Sequence, residues 1–211
     1  MGEGVTMAVP KGRVLEQLVP HFEAAGVDVS ALTKRSRKLI RGNAGLRFLL
    51  LKPDDVPTYV EYGAADLGVV GRDVLLERAY DLYAPVDLGI GRCRLAVAGP
   101  GDAVYPPAPG EVLRVATKFP NVAGRHFAGR GLRAEVIFVQ GSVELAPLTG
   151  LADVIVDIVE TGETLRQNGL VVLEDIAAVS SVVVANRVGL KRKRRTIAPL
   201  LSALRTVAAG A

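Results

Sequence analysis

The stretch GSVELAPLTGLADVIVDIVETGETLRQNGL, residues 141–170, decides how the rest of the chain is interpreted. Its centre, Val154 to Val159, is a β-branched run that stops at a Thr-Gly-x-Thr turn before a helical pattern resumes, which predicts a strand, a tight loop and a helix. Gly162 lets the backbone approach a ligand closely, and the start of a helix offers unpaired N–H groups to an anion. Asp157 and Glu160 suit a ribose diol or Mg²⁺. The stretch therefore predicts a sugar-phosphate site.

Length and composition limit the classes of protein that fit. The 211 residues suffice for one large domain or two small ones, and the hydrophobic share of 49% is that of a globular protein. The lone Cys93 excludes an internal disulfide, and two histidines are too few for a Cys/His metal cluster. The chain shows neither a signal-peptide pattern nor an apolar stretch of membrane-spanning length, so we expect a cytoplasmic protein. A net charge of +4 with only 5% aromatic residues favours small polyanions over nucleic acid.

Other polar turns follow apolar strands elsewhere in the chain. Lys11-Gly12-Arg13 follows one such run, Gly71-Arg72-Asp73 a second and Thr117-Lys118 a third. Because ligands of α/β sheets bind outside the carboxyl ends of the strands, these turns are candidate ligand contacts. For Lys11-Gly12-Arg13 the alternative is a solvated turn in which the glycine only caps a helix.

Two basic segments stand out, and charge runs are usually solvated surface. The first, Thr33 to Lys38, precedes Leu39-Ile40 and contains Arg37, for which a site role and a surface role both stay open. The second, Lys191 to Arg195, precedes an amphipathic stripe. We predict that this second run is a solvated helix start or an interaction face rather than a nucleic-acid patch.

Strands and helices alternate nearly throughout, and many strands are continuous apolar runs, which is typical of sheets covered on both faces by helices. Near the end of the chain we predict strands at Val171 to Leu173 and Ala177 to Val184. The Pro/Gly-rich stretch from Gly99 to Gly110 separates an early from a late cluster of polar turns. The pattern predicts a two-lobed α/β enzyme for phosphorylated ligands.

Several segments taken together resemble ATP phosphoribosyltransferase of the histidine pathway. They are AVPKGR (Ala8–Arg13), SRKLI (Ser36–Ile40), DVPTYVEYGAADLGVVGRDVLLE (Asp55–Glu77), RVATKFPNVA (Arg114–Ala123) and the stretch 141–170. They span almost the whole chain in order, whereas the Thr-Gly-x-Thr loop alone also resembles other phosphoribosyltransferases. At 211 residues the chain resembles the short form of the family, which lacks a C-terminal regulatory domain.

The resemblance implies an α/β fold with two lobes, like type II periplasmic binding proteins, with mixed sheets flanked by helices and a cleft between the lobes. Domain I would comprise 1–92 plus 183–211, and domain II, carrying the phosphoribosyl pyrophosphate loop, would comprise 93–182. The implied reaction is attack of adenine N1 of ATP on phosphoribosyl pyrophosphate, which releases pyrophosphate with Mg²⁺ present. The short form is expected as a homodimer assembled with a regulatory subunit that resembles histidyl-tRNA synthetase, with neither nucleic acid nor membrane as partner.

The resemblance also assigns roles to residues. Arg13 and Arg37 would be catalytic, at the leaving pyrophosphate. Contacts to ATP or pyrophosphate are expected from Lys11, Gly12, Arg13 and Asp73. Contacts to phosphoribosyl pyrophosphate are expected from Asp157, Glu160, Thr161, Gly162, Glu163, Thr164, Ser142 and Glu144. No residue is assigned as a metal ligand outright, because Mg²⁺ would be carried by the substrate, with Asp157 or Glu160 as the carboxylate beside it.

Two rival functions remain. One is a bilobed protein that binds a small anion without turnover, against which the missing signal peptide and the arginines at the leaving group both argue. The other is a phosphoribosyltransferase for another base, against which AVPKGR and SRKLI argue. Substrate screening separates them.

Overall fold

The computed structural model describes residues 4–34, 36–42 and 45–210. Arg35 of the first basic segment and the first three residues, which bear on the signal-peptide prediction, lie outside the described residues. In chain order the strands are β1 (Val5–Pro10), β2 (Ile40–Gly42), β3 (Leu46–Leu51), β4 (Leu67–Gly71), β5 (Tyr83–Asp87), β6 (Cys93–Pro100), β7 (Val112–Thr117), β8 (Arg133–Phe138), β9 (Val154–Val159), β10 (Leu170–Val179) and β11 (Ser181–Ala185). The α-helices are α1 (Arg13–Ala24), α2 (Ser30–Thr33), α3 (Val56–Glu61), α4 (Arg72–Glu77), α5 (Pro120–Gly129), α6 (Leu145–Leu148), α7 (Glu163–Gln167), α8 (Arg187–Arg192) and α9 (Arg194–Ala209).

The chain divides into two compact units. The first comprises Met1–Gly91 and Ser180–Ala211, and the second comprises Arg92–Val179. The sequence placed the corresponding breaks after residues 92 and 182. Within the ranges that the structure describes, no helix combines the length and the apolarity needed to cross a bilayer.

The first unit is built on a six-stranded mixed sheet in the order β2-β3-β1-β4-β11-β5. β1 is parallel to β3 and β4, whereas β2 and β11 run antiparallel to their neighbours. Side chains of β1 alternate between two cores: Met7 packs with residues of α1 and α9, and Ala8 packs with residues of α3. Because both faces are covered, all six residues of β1 are buried, which explains the continuous apolar run in the sequence.

The second unit is built on a five-stranded sheet in the order β10-β6-β9-β7-β8. β7 is parallel to β8 and β9, and β6 is antiparallel to β9 and β10. Here too the strand residues alternate, since Ile155 packs with α6 and α7 while Val154 and Val156 pack with α5. The predicted α/β class, with mixed sheets flanked by helices, is confirmed.

The predicted strands near the end of the chain were wrong in their bounds. β10 runs unbroken through Glu174 and Asp175, where the pattern had predicted an interruption, and it ends before Ser180. Polar side chains are tolerated there because β10 is an edge strand, with register shifts at this point. Arg94 on the neighbouring strand pairs with Asp175 at 2.9 Å.

Candidate active site

Three parallel strands of the first unit end at the same edge of the sheet. The N–H of Lys11 donates to the carbonyl of Leu51 at 2.9 Å, which extends the β1–β3 pairing by one residue beyond β1. Lys11-Gly12-Arg13 therefore leaves the sheet beside the turn that follows β4, and all three of its residues are exposed. The structure thus places these candidate contacts at the carboxyl ends of strands, as predicted.

Gly12 begins α1 in a conformation that favours glycine. Its φ is 89° and its ψ is −152°, and its carbonyl accepts the N–H of Leu15 at 2.9 Å. A Cβ at this position would meet nothing within 4 Å, so the requirement is one of backbone conformation rather than of space. The glycine does start the helix, as the alternative interpretation held, and it also leaves the backbone open to a ligand.

Arg37 lies at this edge as well. The segment that carries it is held by Arg41, which was not among the candidate residues of the sequence. The carbonyl of Leu39 accepts the N–H of Leu50 at 2.8 Å, which anchors the segment beside the carboxyl end of β3. The Arg41 guanidinium then donates to the carbonyls of Leu32, Lys34, Ser36 and Lys38. The side chain of Arg41 therefore holds the backbone of the basic segment in place, and Arg37 remains exposed on that segment.

Asp73 differs from the other candidates because it is only 9% exposed. Its carboxylate lies against Gly71, where a Cβ would collide with it. The carboxylate therefore helps to shape the turn after β4. Its contact with a substrate stays a prediction.

In the second unit, β7, β8 and β9 also end at one edge. β7 lies between the other two, so the loop after β8 and the loop after β9 are two strand spacings apart, roughly 10 Å. Ser142, with a φ of 49°, and the half-buried Glu144 belong to the first of these loops. The buried side chain of Val143 fixes that loop to the core. The structure thus brings Ser142 and Glu144 to the same edge as the Thr-Gly-x-Thr turn.

The Thr-Gly-x-Thr turn, Thr161 to Thr164, forms a corner with left-handed backbone at Gly162, and the side chain of Arg166 stabilises it. Gly162 has a φ of 75°, and the Thr161 hydroxyl accepts the N–H of Glu163 at 3.3 Å. Arg166 donates to the Thr161 carbonyl at 3.2 Å and pairs with the Glu163 carboxylate. Hydrogen bonds from Arg166 and Gln167, with the charge of Arg166, hold the pKa of Glu163 below its ordinary value.

The Thr161 hydroxyl makes its hydrogen bond within the turn and does not cap the following helix. α7 begins at Glu163 without a side-chain cap, and it is only five residues long, so its dipole is small. A phosphate at this turn would rely on backbone N–H groups of the corner itself, which Gly162 turns away from the strand.

The carboxylates expected near Mg²⁺ lie at the end of β9. Asp157 is half-buried on the strand, and Glu160 is exposed at the start of the loop. No group of three or more His, Cys, Asp or Glu residues that could hold a metal occurs among the described residues. Mg²⁺ is commonly held by one or two carboxylates together with substrate phosphates, so this donor set fits an ion that the substrate carries.

Two residues between the loops belong to the third candidate turn, Thr117-Lys118, to which no particular substrate was assigned. Thr117 is fully buried and donates to the Val156 carbonyl at 2.6 Å while accepting the N–H of Phe119 at 2.8 Å. Lys118 follows it, with its ammonium 5.8 Å from the centroid of the Phe119 ring. The position after a buried strand was the available signal, and the strand order makes Lys118 the cation between the two loops.

Comparison with known proteins identifies the family. Residues 52–206 match the family described as HisG: ATP phosphoribosyltransferase. The chain belongs to the ATP phosphoribosyltransferase family. It is 57% identical to the ATP phosphoribosyltransferase of Sorangium cellulosum over 100% of this chain and 99% of that protein. It is 51% identical to that of Halorhodospira halophila over 99% of this chain and 97% of that protein.

A solved structure is similar over the whole chain. It is from the ATP phosphoribosyl transferase (HisG:HisZ) complex of Thermotoga maritima, with 37% identity, a TM-score of 0.83, and coverage of 98% of this chain and 100% of that one. The predicted family, the enzyme class and the type II periplasmic-binding-protein-like fold are confirmed. For this ATP phosphoribosyltransferase, the roles of individual residues and of Mg²⁺ stay predictions.

Proposed function

We propose that the chain transfers the phosphoribosyl group of phosphoribosyl pyrophosphate to N1 of ATP and releases pyrophosphate, in the cytoplasm, as the first step of histidine biosynthesis. The observation that carries the proposal is the left-handed corner at Gly162, which follows a buried strand in a member of the ATP phosphoribosyltransferase family. Both substrates are intracellular metabolites, which supports the location.

The corner is suited to the 5-phosphate of the ribose. Backbone N–H groups of Thr161 to Thr164 would hold the phosphate oxygens, and Gly162 removes the side chain that would keep the phosphate away. The pairing of Glu163 with Arg166 offsets a negative charge that would otherwise repel the phosphate. Asp157 and Glu160 accept hydrogen bonds, which suits ribose hydroxyls, and Ser142 and Glu144 extend the same edge.

Displacement at the anomeric carbon builds positive charge on the sugar and negative charge on the departing pyrophosphate. The protein therefore contributes mainly fixed cations at the leaving group and placement of the nucleophile. Arg13 and Arg37 would take the leaving pyrophosphate, because a guanidinium contacts phosphate through two parallel N–H groups. Lys11 adds a point charge beside Arg13. Adenine N1 attacks with its own lone pair, so no general base is needed.

Mg²⁺ fits this scheme as an ion carried by the substrate, with the carboxylate of Asp157 or Glu160 beside it. When bound, it supplies neutralising charge to the phosphates that leave. The side chains named above bind and orient the substrates.

Assembly follows from the same resemblance. We propose a homodimer that combines with a regulatory subunit resembling histidyl-tRNA synthetase, which would carry feedback inhibition by histidine. The similar Thermotoga maritima structure is of a HisG:HisZ complex, which supports a partner of this kind.

The test mixes the purified protein with ATP, phosphoribosyl pyrophosphate and Mg²⁺ and follows phosphoribosyl-ATP and pyrophosphate, with and without the regulatory subunit. Arg13→Ala and Arg37→Ala should each lower turnover about 10²–10³-fold, as the loss of a charge-stabilising donor does. Arg195→Ala, at an exposed position on α9, is the matched control and should leave turnover unchanged.

Each rival function has its own outcome. No product in either condition, with phosphoribosyl pyrophosphate still bound, would point to another acceptor base. Retention of ligand without release of pyrophosphate in any mixture would point to a binding protein. Unchanged turnover in both arginine variants would refute the assigned roles of Arg13 and Arg37.

A further inference from the structure

A cavity of about 660 Å³ opens at the amino-terminal edge of the first unit's sheet. Gly4 precedes β1 and Asp66 precedes β4, and both line it. Asn186 follows β11, whose end is antiparallel to the start of β4, and it lines the same cavity. The volume is in the range of pockets that hold small-molecule ligands, roughly 300–1,000 Å³.

This edge is opposite to the one that carries the candidate ATP contacts. β1 runs from the cavity at Gly4 to the turn at Lys11, and six strand residues span roughly 20 Å. The cavity is therefore separate from the residues to which the proposed function assigns a substrate.

Cationic side chains of the lining outnumber the acidic ones, with Arg47, Arg192 and Lys193 against Glu61 and Asp66. Glu61 already accepts the N–H of Asp81 at 2.7 Å. Asp66 accepts the backbone N–H of Thr6 and the ammonium of Lys193, each at 2.8 Å. The acids of the lining are thus engaged with donors of the protein.

Two guanidinium groups line the same cavity, those of Arg47 and Arg192. Arg47 donates to the hydroxyl of Thr6 at 3.1 Å, which orients its side chain along the wall. Arg192 and Lys193 belong to the basic run 191–195, which the sequence predicted to be a solvated helix start or an interaction face. Lys193 is not solvated, because its side chain is only 18% exposed and its ammonium also donates to the carbonyl of Gly4.

The wall is fixed before any ligand binds. The Asn186 side-chain oxygen accepts the N–H groups of Val188 and Gly189, each at 2.9 Å, and its amide donates to the carbonyls of Val60 and Glu61. This single amide ties the start of α8 to the end of α3. A preformed wall lowers the entropy cost of binding.

Apolar surface is also available in the lining. Tyr62 is 83% exposed and Val188 is 62% exposed, although both line the cavity. A flat ring packs well against an exposed tyrosine. Guanidinium groups with an aromatic face nearby are suited to a ligand that has a phosphate at one end and a ring at the other.

We propose that this cavity is a second binding site, for a phosphomonoester that carries a flat ring. Arg47 and Arg192 bind the phosphate, and Tyr62 packs against the ring. The basic run 191–195 thus contributes to a ligand site rather than to a nucleic-acid surface.

The test titrates the whole chain, labelled with ¹⁵N-glycine, with phenyl phosphate and separately with inorganic phosphate. Gly4, Gly63 and Gly189 line the cavity, and Gly12 and Gly162 report on the candidate active site. Saturable shifts at the three cavity glycines are expected with both probes, with phenyl phosphate binding roughly 2–10-fold more tightly because of the ring contact. Equal affinity for the two probes would overturn the ring-bearing class, and shifts confined to Gly12 and Gly162 would overturn the site.

Matched variants sharpen the result. Arg192→Gln should weaken phenyl phosphate about tenfold through loss of a charged hydrogen bond, whereas Arg195→Gln, in the same run but outside the lining, should not. Val188→Trp, at an exposed position, should block the cavity without changing its charge. Equal affinity in the Arg192 and Arg195 variants would mean that phosphate only collects around the basic run, which would refute the proposal.

Discussion

Replacing Gly162 by alanine tests the phosphoribosyl corner with no clash inside the protein. An added Cβ would lie 3.6 Å from the nearest Arg166 nitrogen and 3.8 Å from a Val159 methyl, which are ordinary contacts. The cost therefore comes from the φ of 75°, which an L-residue adopts at about 1–2 kcal/mol. Strain of this size disfavours the native corner by a factor of about 5–30. The apparent Kd for phosphoribosyl pyrophosphate should rise by at least that factor, since only the competent conformation binds and the added methyl also lies on the side of the phosphate.

Calorimetric titration of phosphoribosyl pyrophosphate into the protein with Mg²⁺ measures this change, and kcat at saturating substrate should stay close to the wild-type value because the arginines are untouched. Gly131→Ala is the matched control: its φ is 71° and nothing lies within 4 Å of its added Cβ. It bears the same backbone strain in the same unit, so it should lose unfolding free energy without losing affinity. Wild-type affinity in Gly162→Ala, or an equal loss in Gly131→Ala, would refute the role of the corner.

Three further outcomes are expected. Arg41→Leu should lower kcat about tenfold, because the loss of its charged hydrogen bonds frees the segment that carries Arg37; an unchanged kcat would contradict this. Arg166→Gln should raise the pKa of Glu163 toward its ordinary value, measured by NMR titration of the side-chain carboxyl. Asp153→Asn should lower the free energy of unfolding by about 1 kcal/mol at neutral pH. The Arg114 side chain donates to the Asp153 carboxylate at 2.6 Å and holds the pKa of Asp153 low. This stabilisation therefore exists above the unfolded-state pKa and is lost as pH falls through the folded-state pKa. Urea unfolding should therefore show the difference between variant and wild type shrinking as the pH falls below the ordinary pKa of an aspartate.

The local part of the fold could be predicted because it rests on short-range patterns. The run from Val154 to Val159 is bounded by a turn, and β9 occupies those residues. The corner at Gly162 was predictable for the same reason, since left-handed backbone conformation selects glycine. The local pattern left the role of the Thr161 hydroxyl open: in the structure it accepts a hydrogen bond within the corner and leaves the start of α7 uncapped.

Strand order could not be predicted in the same way, because it depends on pairing between distant segments. Lys118 follows a buried strand like the other candidates, but only the position of β7 between β8 and β9 places it between the two substrate loops. The burial of Lys193 could not be predicted for a similar reason. Its partner, Asp66, is 127 residues away in the sequence, and no local pattern connects them.

Two kinds of arginine bear on the candidate site of the first unit: Arg41 holds backbone carbonyls, whereas Arg13 and Arg37 are exposed at strand ends. Arg41 donates hydrogen bonds to several carbonyls at once. The planar guanidinium with its five N–H donors allows this, whereas the compact ammonium of a lysine does not. Arg41→Lys should therefore fail to restore the kcat lost in Arg41→Leu, although it restores the charge. Arg13 acts in the proposed reaction through charge as well as geometry, so Arg13→Lys should retain more turnover than Arg13→Ala. Full activity of Arg41→Lys would show that the positive charge of Arg41, rather than the shape it gives to the segment, is what supports turnover.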